Sequence, residues 1–204
     1  MPHRPPATLA LIGISVLVYL VMTYLDREAI VRPLLISEYV QPTLPEIRHG
    51  QLWRLITPIF LHFGIFHIVF NMLWTWELGR LIEARQGAFM LLGLTLLIGV
   101  ISNLGQYAVT GPGFGGMSGV IYGYFGYVWI QGLYNPAFGI RLNPPVVYLL
   151  LGWFVLCWSG LLELLFNLQI ANSAHTGGLI SGVILAFIMT GIYRFRQQRN
   201  RPGF

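Results

Sequence analysis

Residues 115–133 read GGMSGVIYGYFGYVWIQGL. A glycine-rich turn runs into a serine, Ser118, and then into an apolar stretch carrying Gly119, Gly123 and Gly126. Small residues spaced by three or four along an apolar segment let helix backbones approach closely inside a membrane. The stretch therefore reads as a membrane helix built for tight packing and led by a polar residue. A later segment repeats the device, with His175 followed by Gly178 and Gly182, one and two turns along nearly the same face.

Composition agrees with that reading. The chain has 204 residues, of which 55% are hydrophobic and only 9% charged, against about a quarter charged in a water-soluble globule. Almost no sequence is left over for a soluble domain, so residues 1–204 read as one membrane-embedded unit. The net charge of +5 comes entirely from arginine, as there is no lysine. The arginines gather at the ends of apolar segments, which reports membrane topology and argues against a nucleic-acid surface. Cys157, the single cysteine, lies in an apolar run, cannot form an internal disulfide and reads as a small buried hydrophobe. The N-terminal residues Met1-Pro2-His3-Arg4-Pro5-Pro6 run straight into an apolar segment without a small-residue cleavage site, so a first span is expected and not a removed signal peptide.

Apolar stretches of about 20 residues read as spans, and six are expected: 8–25, 66–82, 88–109, 118–133, 146–165 and 174–193. The fold expected is all-α, a compact bundle of six transmembrane helices with a long first loop. That loop, with Pro42, Pro45 and the pair Trp53-Arg54, is too long for a mere connector and is expected to lie partly in the outer leaflet as short helices. Trp53 suits an interfacial anchor, and Arg54 suits hydrogen bonds to loop carbonyls. With six spans both termini share one side with Arg4, Arg80, Arg85, Arg141, Arg194, Arg196, Arg199 and Arg201, against Arg27, Arg32, Arg48 and Arg54 on the other. Eight against four, with a basic tail over residues 194–204, puts both termini in the cytoplasm. Spans two, four and six then start at the outer face, which brings His67, Ser118 and His175 to a similar depth.

Each of these residues has a plain and a chemical reading. Ser118 opens a helix, where serine is a favoured cap. The same position surrounds it with first-turn N–H groups that lack intrahelical partners and suit a developing oxyanion. His175 is either a polar interfacial cap or a base for that serine, and ionisable groups inside membranes suggest function by default. His67 and Asn71, spaced i, i+4, share a helix face as an interhelical clamp or as uncharged donors to a transition-state oxygen. Tyr122, one turn below Ser118, is either packing or a platform for an imidazole. Asp26, the only aspartate, ends the first span, so a serine–histidine unit would be a dyad without a carboxylate. His62, His67 and His175 lack the carboxylate or His-x-x-x-His spacing of a metal centre, and none is expected. Glu77, Gly79 and Glu83 sit beside Arg80 and Arg85, where charge pairing would fix the helix end.

Taken together, Trp53-Arg54, His62 through His67 to Asn71, Glu77-x-Gly79-x-x-x-Glu83, Gly116-Met117-Ser118-Gly119 with Tyr122, and Ala174-His175 with Gly178 and Gly182 resemble the rhomboid family of intramembrane serine proteases. The resemblance covers nearly the whole chain. It implies Ser118 as nucleophile and His175 as general base, with an acyl-enzyme between them. It implies an oxyanion hole from His67, Asn71 and the Ser118 N–H, support of His175 by Tyr122, and close helix approach at Gly178. Gly116 and Met117 would shape the turn before the serine. Substrates would be transmembrane proteins cut near their extracytoplasmic ends, without metal or organic cofactor, in a bacterial inner membrane. The gate would be span five with the loop at 166–173, and the chain would be the minimal six-span core. Two other readings are a non-catalytic rhomboid-like binder of membrane helices, which typically loses the serine or histidine, and a transporter. A transporter would spread its polar residues through the membrane depth, whereas here they cluster at one end.

Overall fold

The computed structural model describes residues 5–40 and 43–199. Arg4, Pro42, Arg201 and the end of the basic tail lie outside the described residues. Every long element is an α-helix. In chain order they are α1 (Pro6–Tyr24), α2 (Arg27–Val31), α3 (Pro45–Arg48), α4 (Ile65–Gln86), α5 (Ala88–Thr110), α6 (Ser118–Tyr134), α7 (Pro144–Trp158), α8 (Leu161–Phe166) and α9 (Asn172–Arg199). Short 3-10 turns at Arg32–Leu34, Leu52–Leu55 and Thr57–Phe60 complete the first loop, and a fourth follows α6 at Pro136–Phe138. Three helices, α1, α5 and α9, are long and apolar enough to cross a bilayer, and α7 is a shorter apolar helix.

The expected span at 146–165 is broken. Helix α7 stops at Trp158, Gly160 takes a left-handed φ of 73°, and α8 starts a new direction. Hydropathy cannot register this break, because Leu161-Leu162 and Leu164-Leu165 keep the apolar run going across it.

Helix α6 is the axis of the bundle. From Gly119 to Val128 every residue is buried, and Tyr124, Phe125 and Tyr127 are fully enclosed. It packs chiefly on α9, and also on α4 and α5, while α1 lies on α4. The α6–α9 contact is backbone against backbone. A Cβ on Gly178 would run into the Gly119 carbonyl oxygen, and one on Gly182 into that of Gly123. Lipid tails are as apolar as leucine, so helices in a membrane associate through such packing and through buried hydrogen bonds. Those bonds are present: Gln131 Nε2 donates to the Ala186 carbonyl at 2.8 Å and to Thr190 Oγ1 at 3.3 Å, Asn135 Nδ2 donates to Gln131 Oε1, and Thr95 and Tyr124 share a hydroxyl bond between α5 and α6.

Glu83 corrects one expectation. Among the described residues it pairs with no arginine, and its carboxylate caps α1 instead. The backbone N–H groups of Ala7 and Thr8 each donate to it at 2.8 Å, and Thr8 Oγ1 donates at 2.7 Å. A carboxylate satisfies the orphan donors and the positive end of the dipole at a helix N-terminus. At this helix end Glu77 meets Arg80 at 2.6 Å, while Arg85 donates to the Gly139 carbonyl at 3.3 Å. Gly79 gives Thr8 its place, since a Cβ there would stand 3.2 Å from the threonine side chain.

The first loop is organised by Arg54, which is only 4% exposed. Its guanidinium donates to the carbonyls of Arg32 at 2.7 Å and Leu35 at 3.1 Å, to Gln51 Oε1 at 2.7 Å and to Glu38 Oε1 at 3.0 Å. The carbonyl-binding role expected of Arg54 is thus observed. Trp53 remains half exposed, with its indole N–H donating to the Pro33 carbonyl.

The close approach of α6 and α9 makes a direct prediction. Gly182→Ala is expected to lower stability by about 1–3 kcal/mol, because backbone cannot yield to the new methyl as a side chain can. Gly191→Ala, in the same helix with open space around it, is expected to be neutral or slightly stabilising. Thermal unfolding midpoints of the two purified variants measure the contrast.

Candidate active site

The glycine turn before α6 is held by the first loop. Gly116 N–H donates to the Pro58 carbonyl at 3.0 Å, and Gly116 takes a φ of 118°. A Cβ there would also stand 2.5 Å from His67 Nε2. Glycine is required on both counts, because an L-residue is strained at that φ and the histidine ring occupies the space. Met117, fully buried, anchors the turn in the core.

Ser118 does not behave as a cap. Its helix has no side-chain capping bond at the N-terminus, and the Ser118 hydroxyl meets His175 Nε2 at 2.8 Å. The two residues are in hydrogen-bond contact. His175 is 4% exposed, and among the described residues its Nδ1 has no hydrogen-bond partner. With Nδ1 carrying the proton, Nε2 is free to accept from the serine hydroxyl.

Tyr122 lies beside the imidazole, ring centroids 4.8 Å apart at 43°, a tilted contact and not a parallel stack. Its own place is fixed by α7, where its hydroxyl donates to the Leu150 carbonyl at 3.2 Å and its ring meets Phe154 edge-on at 5.3 Å. Gly178, one turn below His175, permits the approach that the resemblance assigned to it.

His67 packs against Gly116 and so borders the turn that leads to Ser118. Asn71 is buried one turn further along α4. Its Nδ2 donates to the His67 carbonyl at 2.7 Å, and among the described residues its Oδ1 has no partner. One amide hydrogen is thus engaged, and the second is free for another acceptor. His62, fully buried in the loop before α4, lies 5.0 Å from the His67 ring. Burial and then the nearby His67 push its pKa down to about 4. Neutral at ordinary pH, it donates Nδ1–H to the Phe60 carbonyl at 3.0 Å, and Nε2 is left without a partner.

Sequence reading missed Gln106. Its Oε1 accepts the backbone N–H of Ala174 at 2.9 Å, and its Nε2 donates to Thr110 Oγ1. A buried amide from α5 thereby satisfies the first turn of α9 immediately before His175. The only signal in the chain was a glutamine inside an apolar span. On the other side, Trp158 Nε1 donates to Thr176 Oγ1 at 3.1 Å and Asn172 Nδ2 to the Cys157 carbonyl at 3.1 Å, tying α7 to the start of α9.

Gly116→Ala is expected to cost about 1–2 kcal/mol from backbone strain alone and to displace the His67 ring. The cost is read as a lowered unfolding midpoint, and the displacement as a shifted His67 imidazole resonance.

A family description named Rhomboid domain matches residues 49–192, which contain all of the residues above. The Rhomboid protease GlpG of Salmonella newport (strain SL254) is 36% identical over 185 residues, covering 91% of this chain and 63% of the relative. Those of Salmonella heidelberg (strain SL476) and Salmonella typhimurium (strain LT2) match to the same extent. The chain spans 63% of the length of these relatives. With an all-helical, apolar architecture and the motifs in place from the first loop to the last helix, the chain is an integral membrane protein that belongs to the rhomboid family.

Proposed function

We propose that this chain is an intramembrane serine endopeptidase, cutting transmembrane proteins near their extracytoplasmic ends with Ser118 and His175. The observation that carries the reading is the 2.8 Å contact between His175 Nε2 and Ser118 Oγ at the first turn of α6. The printed name of the relatives, rhomboid protease, supports it. A non-catalytic binder of membrane helices has no use for a nucleophile held on its base.

In this scheme His175 Nε2 takes the hydroxyl proton as Ser118 Oγ attacks the scissile carbonyl carbon. The carbonyl oxygen becomes an oxyanion, received by the Ser118 backbone N–H and by the side chains of His67 and Asn71. Collapse of the tetrahedral adduct breaks the C–N bond, and His175 returns the proton to the leaving amine. Water, deprotonated by the same imidazole, then attacks the acyl-enzyme and frees Ser118. With no carboxylate on Nδ1, orientation of the ring falls to Tyr122 and to the rigid start of α9. A helical substrate hides its carbonyls in its own hydrogen bonds, so it must unwind locally before attack. Helix α7, which buries only Val147, Leu150 and Cys157, is the loosest wall of the site and the natural entry for a substrate helix.

The same reading takes α1, α4, α5, α6, α7 and α9 as the six spans. Helices α6 and α7, with 17 and 15 residues, are short for a bilayer core of about 30 Å. Helix α6 is sheathed by its neighbours, and α7 is continued by α8 beyond its break. The arginine asymmetry supports cytoplasmic termini in a bacterial inner membrane, with Ser118 toward the outer face.

Ser118→Ala and His175→Ala are each expected to lower cleavage of a transmembrane substrate by about 10⁴-fold or more while the helical content of the purified protein is kept. A fluorophosphonate probe is expected to label the unsubstituted chain and to leave Ser118→Ala unlabelled. Undiminished cleavage by Ser118→Ala would remove the dyad from consideration.

A further inference from the structure

The end of the bundle opposite Ser118 carries a cluster of cations that the proteolytic scheme does not use. Helix α6 ends at Tyr134, and two arginines reach its last turn from different directions. Arg141 Nε donates to the Gly132 carbonyl at 3.1 Å, and Arg194 donates to the Tyr134 carbonyl at 3.3 Å. A third, Arg85, holds the Gly139 carbonyl in the loop between them. All three side chains are exposed. Among the described residues none of them has a carboxylate within 4.0 Å; the ion pairs found there belong to Arg32, Arg54 and Arg80.

Capping the carbonyls of α6 accounts for part of this arrangement, since cations suit a helix C-terminus. It engages one N–H of each guanidinium, and a guanidinium has five donors in a planar fork suited to phosphate. Two of the three arginines line adjoining shallow recesses that share Leu133 and Pro136. Arg141 lines one recess and Arg194 the other. Exposed apolar side chains line the same recesses, with Leu133 at 47% and Tyr134 at 46% exposure. Unpaired guanidinium donors next to lipid-facing apolar surface, at the end of a membrane bundle, match an amphiphile with an anionic head. Basic pockets between membrane helices hold anionic lipid heads by this combination.

We propose that Arg141 and Arg194, from the two adjoining recesses, hold the anionic headgroup of a phospholipid against the last turn of α6, with its acyl chains along Leu133 and Tyr134. The site pins the α6–α7 loop and the end of α9 to the membrane surface. The inference rests on the bundle lying in a bilayer and is independent of Ser118 and His175.

The test is native mass spectrometry of the full chain in detergent, titrated with phosphatidylglycerol or with phosphatidylcholine of identical acyl chains. Phosphatidylglycerol is expected to bind about 30-fold more tightly than phosphatidylcholine, whose choline cation offsets the phosphate charge. At about 1 kcal/mol for each arginine, R141Q and R194Q are each expected to weaken phosphatidylglycerol by about fivefold and the double variant by about 30-fold, with phosphatidylcholine unchanged. R27Q/R48Q removes the same charge from the loop between α1 and α4 and is expected to change phosphatidylglycerol binding by less than about twofold. Equal binding of the two lipids overturns the proposal, as does unchanged binding in R141Q/R194Q or an equal loss in R27Q/R48Q. Displacement of the lipid by inorganic phosphate at equal concentration also overturns it, in favour of a free-anion site. If R141Q/R194Q does not yield folded protein, the two single variants decide by the same criteria.

Discussion

The contact on which the rest of the structure depends is the backbone approach of α6 and α9. The Gly119 and Gly123 carbonyl oxygens lie where any side chain on Gly178 and Gly182 would have to go. In water such a gap between helices would be filled by larger residues, because burying them is favourable in itself. Within a bilayer that driving force is absent between apolar surfaces, and the gain comes from dispersion and from polar groups kept off lipid. The spacing of α6 and α9 is therefore set by their main chains, which cannot shift rotamers. That rigidity fixes how far Ser118, at the head of α6, stands from His175, one turn into α9.

Buried polar side chains hold α9 at both ends, against α6 at one and α5 at the other. Gln131 bridges to Ala186 and Thr190 near the end of α6, and Gln106 receives the Ala174 N–H beside His175. Around this axis the first loop acts as a brace. Arg54 gathers the carbonyls of Arg32 and Leu35 with Glu38, Asn103 donates to the Leu55 carbonyl, and Pro58 accepts the N–H of Gly116. Through these bonds a long irregular segment sets the conformation of the turn before Ser118. Helix α7 stands apart, with few buried residues and three hydrogen bonds from its length to Tyr122, Asn172 and Thr176. The molecule thus joins a rigid Ser118–His175 pair to one loosely held wall.

The polar residues of the bundle divide by end. His62, His67, Asn71, Ser118 and His175 lie toward the start of α4, α6 and α9, while Arg85, Arg141 and Arg194 surround the opposite end of α6. The 17 residues of α6 hold the two groups at opposite ends of one helix. The cation cluster is then free to meet the membrane surface without disturbing the histidines.

Much of this was legible in the chain itself. Apolar run lengths located the starts of the long helices to within a few residues, but not the ends of α7 and α9, because hydropathy averages over many positions. The glycine spacing at 119, 123, 178 and 182 named the faces that meet, because only small residues permit that approach. Arg54 was recognisable as a carbonyl binder from its position before an apolar run. What the sequence left open was which polar group partners which. Glu83 sits among arginines in the sequence yet caps α1, since the donors that needed it are 75 residues away. Gln106 shows no periodic or motif signal that would link it to Ala174. The break at Gly160 hides in an unbroken apolar run. Ser118 as a helix cap and Ser118 as the partner of His175 are written in the same letters. Only the packing of α9 on α6, which turns two distant segments into neighbours 2.8 Å apart, decided between them.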